Sequence, residues 1–283
     1  MLIGQLTDIH LGFAPDGPEE ELNKVRLRAV LARLLDGPNL PDMLVLSGDL
    51  TEHGDAASFT ALAELVSASG IAAWPMVGNH DTREALLRAF PSVAAQGGFV
   101  HYTIEQGGLR VIMLDTLEPG RHSGAFCKVR ARWLAAQLDA APGRPTVIFM
   151  HHPPVVSGIA WMDPDPGASW IERFGAAVEG RRQILAIHCG HLHRTLATRF
   201  RGIPLHVCPS VDPQVALDLT SIDDAYADGR ELIAAEPPAY ALLRWDGERL
   251  VTHYEHVGDW HVLARYTNKL QPMVKAMAAE RGL

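Results

Sequence analysis

Met43-Leu44-Val45-Leu46-Ser47 is an apolar run closed at once by Gly48-Asp49, and four other runs in the chain share this plan. Leu2–Leu6 leads into Thr7-Asp8-Ile9-His10, and Ile71–Val77 into Gly78-Asn79-His80-Asp81. Thr146–Met150 leads into His151-His152-Pro153-Pro154, and Ile184–Ile187 into His188-Cys189-Gly190-His191-Leu192-His193. Short apolar runs bounded by turn signals fit strands covered on both faces, as in α/β sheets. Glycine after the run permits a sharp turn where a side chain would obstruct close approach. Polar groups just past the C-terminal ends of such strands lie in the crevice where α/β sheets bind ligands.

Helical spacing fills the intervals. A helix is expected from about Glu19 to Leu35, carrying Val25, Val30, Leu31, Leu34 and Leu35, and Pro38 and Pro41 end it. Asp55 is the expected N-cap of Ala56–Ser69, and Gly70 its stop. Phe99–Glu105 and Leu109–Leu114 read as a hairpin around Gly107-Gly108. Further helices are expected near Val129–Leu138 and Trp170–Val178, with strands near Thr195–Phe200, Pro204–Val207, Tyr240–Trp245 and Leu250–Glu255. The tail, Val262 to Ala279, reads as a helix with Leu263, Tyr266, Leu270, Met273 and Met277 on one side, a stripe suited to core or a subunit interface. Pro209–Pro238 gives no clear periodicity.

A hydrophobic fraction of 47% and a charged fraction of 20% are ordinary for a globular chain, and 283 residues allow one large domain with an appended lobe. Residues 1–208 are expected to form a catalytic core and 209–283 a small C-terminal lobe that completes the layers and is suited to capping or dimerising. A net charge of −8 argues against binding a nucleic-acid polymer, which needs a basic face. Cys127, Cys189 and Cys208 show no CxxC spacing and read as reduced thiols. No basic leader or bilayer-length apolar run is present, so a cytoplasmic setting without membrane attachment is expected.

In a layered sheet the five strand ends gather at one edge. Asp8, His10, Asp49, Asn79, His80, His151, His191 and His193 can then meet although they are far apart in sequence. Asp-x-His and His-x-His place alternate residues on one side of an extended segment. Imidazole with carboxylate, and no thiolate, suits iron, manganese, zinc or cobalt better than magnesium or calcium. One ion seldom needs so many donors, whereas two ions sharing Asp49 would use them. Asp81 has a plainer reading as a cap for a helix beginning near Thr82, Asp115 as a turn former, His188 as a packed strand end and His152 as support for its loop. Trp161 and Met162 are read equally as pocket wall or core cover, and His53 as substrate contact or exposed turn.

Asp8-Ile9-His10, Gly48-Asp49, Gly78-Asn79-His80-Asp81, His151 and Gly190-His191-Leu192-His193 together resemble the calcineurin-like metallophosphoesterase superfamily, over about Leu2 to Val207. Within it the chain is similar to class III cyclic-nucleotide phosphodiesterases and related glycerophosphodiesterases, and Gly158-Ile159-Ala160-Trp161-Met162-Asp163 adds to that likeness. The resemblance implies a four-layer α-β-β-α sandwich. It also implies one metal ion on Asp8, His10, Asp49 and His193 and a second on Asp49, Asn79, His151 and His191.

The expected activity is dinuclear metal-dependent hydrolysis of a small phosphodiester, a 3′,5′-cyclic nucleotide such as cAMP or a glycerophosphodiester, by a hydroxide bridging the ions. His80 is expected to contact the phosphate and protonate the leaving alkoxide, while neutral Asn79 leaves one ion more positive than a third carboxylate would. The rival readings are a phosphomonoesterase or protein phosphatase of the same superfamily, and a binding protein without turnover. A homo-oligomer is also left open, with 201–283 as the surface available for it.

Overall fold

The computed structural model describes residues 1–13 and 21–281. Two large sheets carry the chain. The first has strand order β13-β12-β1-β2-β3, from β1 (Leu2–Leu6), β2 (Met43–Ser47), β3 (Ala73–Met76), β12 (Ala239–Trp245) and β13 (Leu250–His256). The second has order β4-β5-β6-β7-β9-β8, from β4 (Tyr102–Gln106), β5 (Leu109–Leu114), β6 (Thr146–Met150), β7 (Ile184–Cys189), β8 (Leu196–Phe200) and β9 (Ile203–Val207). A short pair, β10 (Gln214–Val215) with β11 (Ile233–Ala234), stands apart.

β1, β2 and β3 run parallel, as do β5, β6 and β7, so each set releases its C-terminal ends at one edge. Helices α1 (Leu22–Asp36), α2 (Ala56–Ala68) and α3 (Arg83–Ala89) lie on the connections of the first sheet. α4 (Lys128–Ala140) and α5 (Ser169–Val178) lie on those of the second. This is the α-β-β-α arrangement of an α/β sandwich. The central strands are apolar without alternation because they are covered on both sides: β2 and β6 are buried at every residue. Gln5 joins the sheets, its Nε2 donating to Ser47 Oγ within its own sheet at 2.9 Å and to the Cys189 carbonyl of the other at 3.1 Å.

Several local readings meet their physical reasons here. Asp55 caps α2, accepting from the backbone N–H groups of Ala57 and Ser58. Gly107 and Gly108 both take positive φ in the β4–β5 turn, as a two-residue hairpin requires. The expected start of the first helix at Glu19 lies outside the described residues. Val25 and Leu35 of that helix are exposed, and the buried stripe is instead Leu27, Val30, Leu31 and Leu34.

The tail departs further from expectation. Its helix, α6, spans only Gln271–Glu280 and buries none of its residues. Pro272 sits in the first turn, where the missing N–H is harmless; a longer helix would put it in the interior, where it removes a hydrogen bond and clashes with the preceding turn. Leu263, Tyr266, Met273 and Met277 are therefore exposed instead of packed.

Candidate metal centre

Five loops deliver the histidines and carboxylates to one edge, and the backbone is strained where they arrive. Among the described residues, six non-glycine positions have positive φ, and Asp8, His10, Asp49, His191 and His193 are five of them. Left-handed backbone at Asp or His is held only where the surroundings overdetermine it, as at a functional site. The loops are laced together by main-chain bonds: Asp8 N to Gly48 O, His10 N to Asp49 O, Gly190 N to His151 O and Asp212 N to Asp8 O, each 2.9–3.0 Å. Glycine is required at the crossings. A Cβ at Gly48 would come within 2.6 Å of His151 Nδ1, and one at Gly190 within 2.0 Å of Thr7 Oγ1.

The carboxylates lie at the centre of the cluster. Asp8 Oδ1 is 3.4 Å from His193 Nε2 and 3.8 Å from His151 Nε2. Asp49 Oδ2 is 3.2 Å from His151 Nε2 and 3.7 Å from His10 Nε2. Two groupings have ligand atoms within 4.8 Å of one another: Asp8 with His10 and His193, which all belong to one expected set, and Asp8 with Asp49 and His151, which draws on both sets. His191 is brought beside His151, with ring centroids 5.3 Å apart, but it groups with His151 and His152 and not with Asp49. Asn79 stands at the rim, its Oδ1 accepting from His152 Nε2 at 3.2 Å. His80 lies against His10, with ring centroids 4.6 Å apart.

Burial opposes charge throughout the cluster, and at Asp8, Asp49, His10, His151 and His193 the attraction of neighbouring members overrides it. The positive charge of His151, then of His10 and His80, holds the Asp49 carboxyl well below the usual carboxylate range despite that burial. Against the same penalty, the Glu52 hydrogen bond and the charges of Asp49, Asp212 and Asp8 push His10 up to about 10. Asp49 and Asp8 likewise raise His151 to about 9. Burial and the charge of His151 drive His191 down to about 3, which keeps it neutral and its lone pair free.

These residues fit a metal site on two observations. His10 Nε2 and His151 Nε2 are buried without a hydrogen-bond partner, whereas their Nδ1 atoms are engaged by Glu52 Oε2 at 2.7 Å and the Ser47 carbonyl at 2.9 Å. An imidazole held at one nitrogen and unsatisfied at the other is the usual state of a metal-ligating histidine. The donors are nitrogen and carboxylate oxygen, which suits first-row transition ions.

Glu52 and Asp212 belong to this site and had no clear sequence signal. Asp212 lies in the stretch without periodicity, and Val211 and Asp212 bond back to Thr7 and Asp8, which places its Oδ2 3.5 Å from His193 Nδ1. Asp81 is not a helix cap: Thr82 takes that position, and the buried Asp81 carboxylate accepts from the N–H groups of Leu50, Thr51 and Gly78. It ties the second and third strand ends together. Asp115 is more than a turn former, since it receives both Nε and Nη2 of Arg83 and the Val100 N–H. His188 is buried inside β7 and stacks on His206, with ring centroids 5.0 Å apart. His152 braces its loop through Thr116 Oγ1 at 2.8 Å, and His53 is exposed away from the cavity.

Over the cluster opens a cavity of about 490 Å³. Its floor holds His10, Asp49, His191 and His193, and its walls include Phe13, Trp161, Met162, Trp170, Val215 and Ile233. Trp161 and Met162 thus line the pocket. No Lys or Arg is among the described lining residues. Among the described residues no helix is long and apolar enough to cross a membrane.

Comparison with known proteins agrees with this geometry. Residues 1–195 match the family model described as calcineurin-like phosphoesterase. The chain is 31% identical, over 92% of its length and 94% of the relative's, to a probable glycerophosphodiester phosphodiesterase from Arcobacter nitrofigilis. It is 33% identical to a probable cyclic nucleotide phosphodiesterase from Rhodopseudomonas palustris, over 81% of this chain and 82% of that one. It is 32% identical to a cAMP/cGMP dual specificity phosphodiesterase from Mycobacterium tuberculosis, over 75% and 68%. In fold it is similar to a dimetal phosphatase from Danio rerio, with TM-score 0.66, 14% identity and coverage of 92% of this chain and 97% of that one. A pair of sheets that converges histidines and aspartates on one edge, and a family match across most of the chain, lead to one statement: the protein belongs to the calcineurin-like phosphoesterases.

Proposed function

We propose that this chain is a dinuclear metal-dependent phosphodiesterase acting on a small, singly charged diester, a 3′,5′-cyclic nucleotide or a glycerophosphodiester. The observation that carries the choice of diester is a cavity lined by histidines, carboxylates and apolar walls, with no Lys or Arg among the described residues. A phosphomonoester is largely a dianion at neutral pH, and a bare dianion profits from Lys or Arg side chains, which the described lining lacks. The names of the curated relatives point to the same diesters.

Asp8, His10, Asp49 and His193 would hold one ion, and Asp49, Asn79, His151 and His191 the other, with iron, manganese, zinc or cobalt suited to these donors. When bound, such a pair neutralises charge on the phosphoryl oxygens and makes water acidic enough to serve as nucleophile near neutral pH. The chain's own residues do the rest. His80 Nδ1 is within hydrogen-bond distance of the Glu52 carbonyl at 3.0 Å, which leaves Nε2 as the nitrogen that passes a proton to the leaving alkoxide. Phe13, Trp161 and Met162 would exclude water around the alcohol portion of the diester.

Residues 1–208 are read as the catalytic core and 209–283 as the lobe that completes it, supported by β12 pairing antiparallel with β1 and by Asp212 reaching the cluster. Three unpaired cysteines fit a reducing, cytoplasmic setting, and the exposed apolar tail leaves room for a second subunit. The test is turnover by metal-reconstituted protein of bis(p-nitrophenyl) phosphate, p-nitrophenyl phosphate, cAMP, cGMP and glycerophosphoethanolamine. Diesters should be favoured, and a marked preference for the monoester would overturn the reading.

A further inference from the structure

His122 has no place in the ligand sets above, yet it is held at the mouth of the same cavity. It lies on the segment between β5 and α4, and that segment is anchored on both sides of it. Ala125 N donates to the Thr116 carbonyl at 2.8 Å, and Arg121 N to the Glu118 carbonyl at 3.1 Å. Gly124 presses on the site so closely that a Cβ there would stand 2.8 Å from His152 Cβ. The ring is exposed to the cavity, with its centroid 5.9 Å from that of His80. Its Nδ1 is 3.4 Å from Asn79 Nδ2.

That contact selects the tautomer. A carboxamide nitrogen only donates, so His122 Nδ1 accepts and the ring proton resides on Nε2. The cavity has no Lys or Arg among its described lining residues, so N–H donors for the non-bridging oxygens of a diester must come from amide, indole and imidazole groups. We propose that His122 is a second substrate-contacting imidazole of this site, whose Nε2–H donates to a phosphoryl oxygen of the bound diester beside His80. The Asn79–His122 contact then has a further effect, because it orients the carboxamide so that Oδ1, not Nδ2, faces inward. This rests on the phosphodiesterase reading of the site.

The test compares metal-loaded wild type with His122→Ala and His122→Gln. Three quantities are read: metal content by elemental analysis, affinity for inorganic phosphate by calorimetry, and the separate kcat and KM for bis(p-nitrophenyl) phosphate. A lost hydrogen bond to a charged oxygen should weaken phosphate binding and lower kcat/KM by about ten- to a hundredfold in His122→Ala. Metal content should hold, and His122→Gln, which keeps an N–H donor, should recover most of the loss. Wild-type phosphate affinity in His122→Ala overturns the proposal, as does loss of metal in that variant, which would mark a structural role. Absence of diester turnover by wild type would instead count against the phosphodiesterase reading, while phosphate affinity would still decide on His122.

Discussion

The backbone N–H of His80 donates to Asp49 Oδ1 over 2.8 Å. The residue proposed to pass a proton is thus fastened to the carboxylate proposed to bridge the ions, although β2 and β3 deliver them from separate loops. Asp49 Oδ2 meanwhile faces His151 and His10. One carboxylate therefore contacts the two histidines proposed as metal donors and fixes the position of the proposed acid.

Asp49→Ala should lose metal from both positions and also unfasten His80. Elemental analysis after reconstitution is expected to find well under one ion per chain. Full occupancy in this variant would remove the bridging role.

His80→Ala should separate chemistry from binding. His80 lies at the side of the cluster, so metal content should persist while kcat for a diester falls by about two to four powers of ten, the usual reach of a general acid. Steady-state kinetics on a metal-saturated variant checks this, and wild-type turnover would refute the role.

Gly190→Ala should damage the site without replacing any proposed ligand. The new Cβ would lie 2.0 Å from Thr7 Oγ1 and 2.7 Å from Asp8 Oδ2, in a loop that main-chain bonds do not let retreat. Overpacking of this kind costs about 1–3 kcal/mol, and metal affinity should drop with it. Gly143→Ala, where nothing lies within 4 Å, is the control for denaturant titrations.

His101 should make stability fall in mild acid. It is buried, stacks on Trp133 at 4.0 Å, and is pulled down to about 4 by burial, with Arg130 and Arg83 adding and Asp115 opposing. The unfolded chain titrates near 6.5, so between about pH 6.5 and 4 it binds a proton that the folded chain refuses. The stabilisation is whole above 6.5 and is lost as pH falls towards 4, up to about 3 kcal/mol. His101→Phe keeps the stack and removes the titration. The stability difference between variant and wild type, measured by denaturant at several pH values, should shift in favour of the variant as pH falls; a constant difference would contradict the assignment.

Much of the scaffold was legible in the chain because its signals are local. Five apolar runs ending in polar turns announced β1, β2, β3, β6 and β7, since strands buried on both faces need no alternation and strand ends need turn residues. The N-cap at Asp55 and the paired glycines at Gly107-Gly108 are likewise choices that neighbouring atoms decide. The tail misled for the same local reason: an apolar spacing invites a helix, but Pro272 and the absence of a packing face restrict it to Gln271–Glu280.

The amino-acid order by itself determined which residue types stand at each strand end, and so the chemistry available at the edge. Tertiary structure alone decided the partners of those residues. Glu52 behind His10, Asp212 behind His193, Asp81 between two strand ends and His122 at the mouth are set by how the strand-end loops pack. A carboxylate or imidazole carries no local mark of which distant group it will meet. Its role follows from burial, which makes each unpaired polar atom costly and so selects the one packing that pairs them.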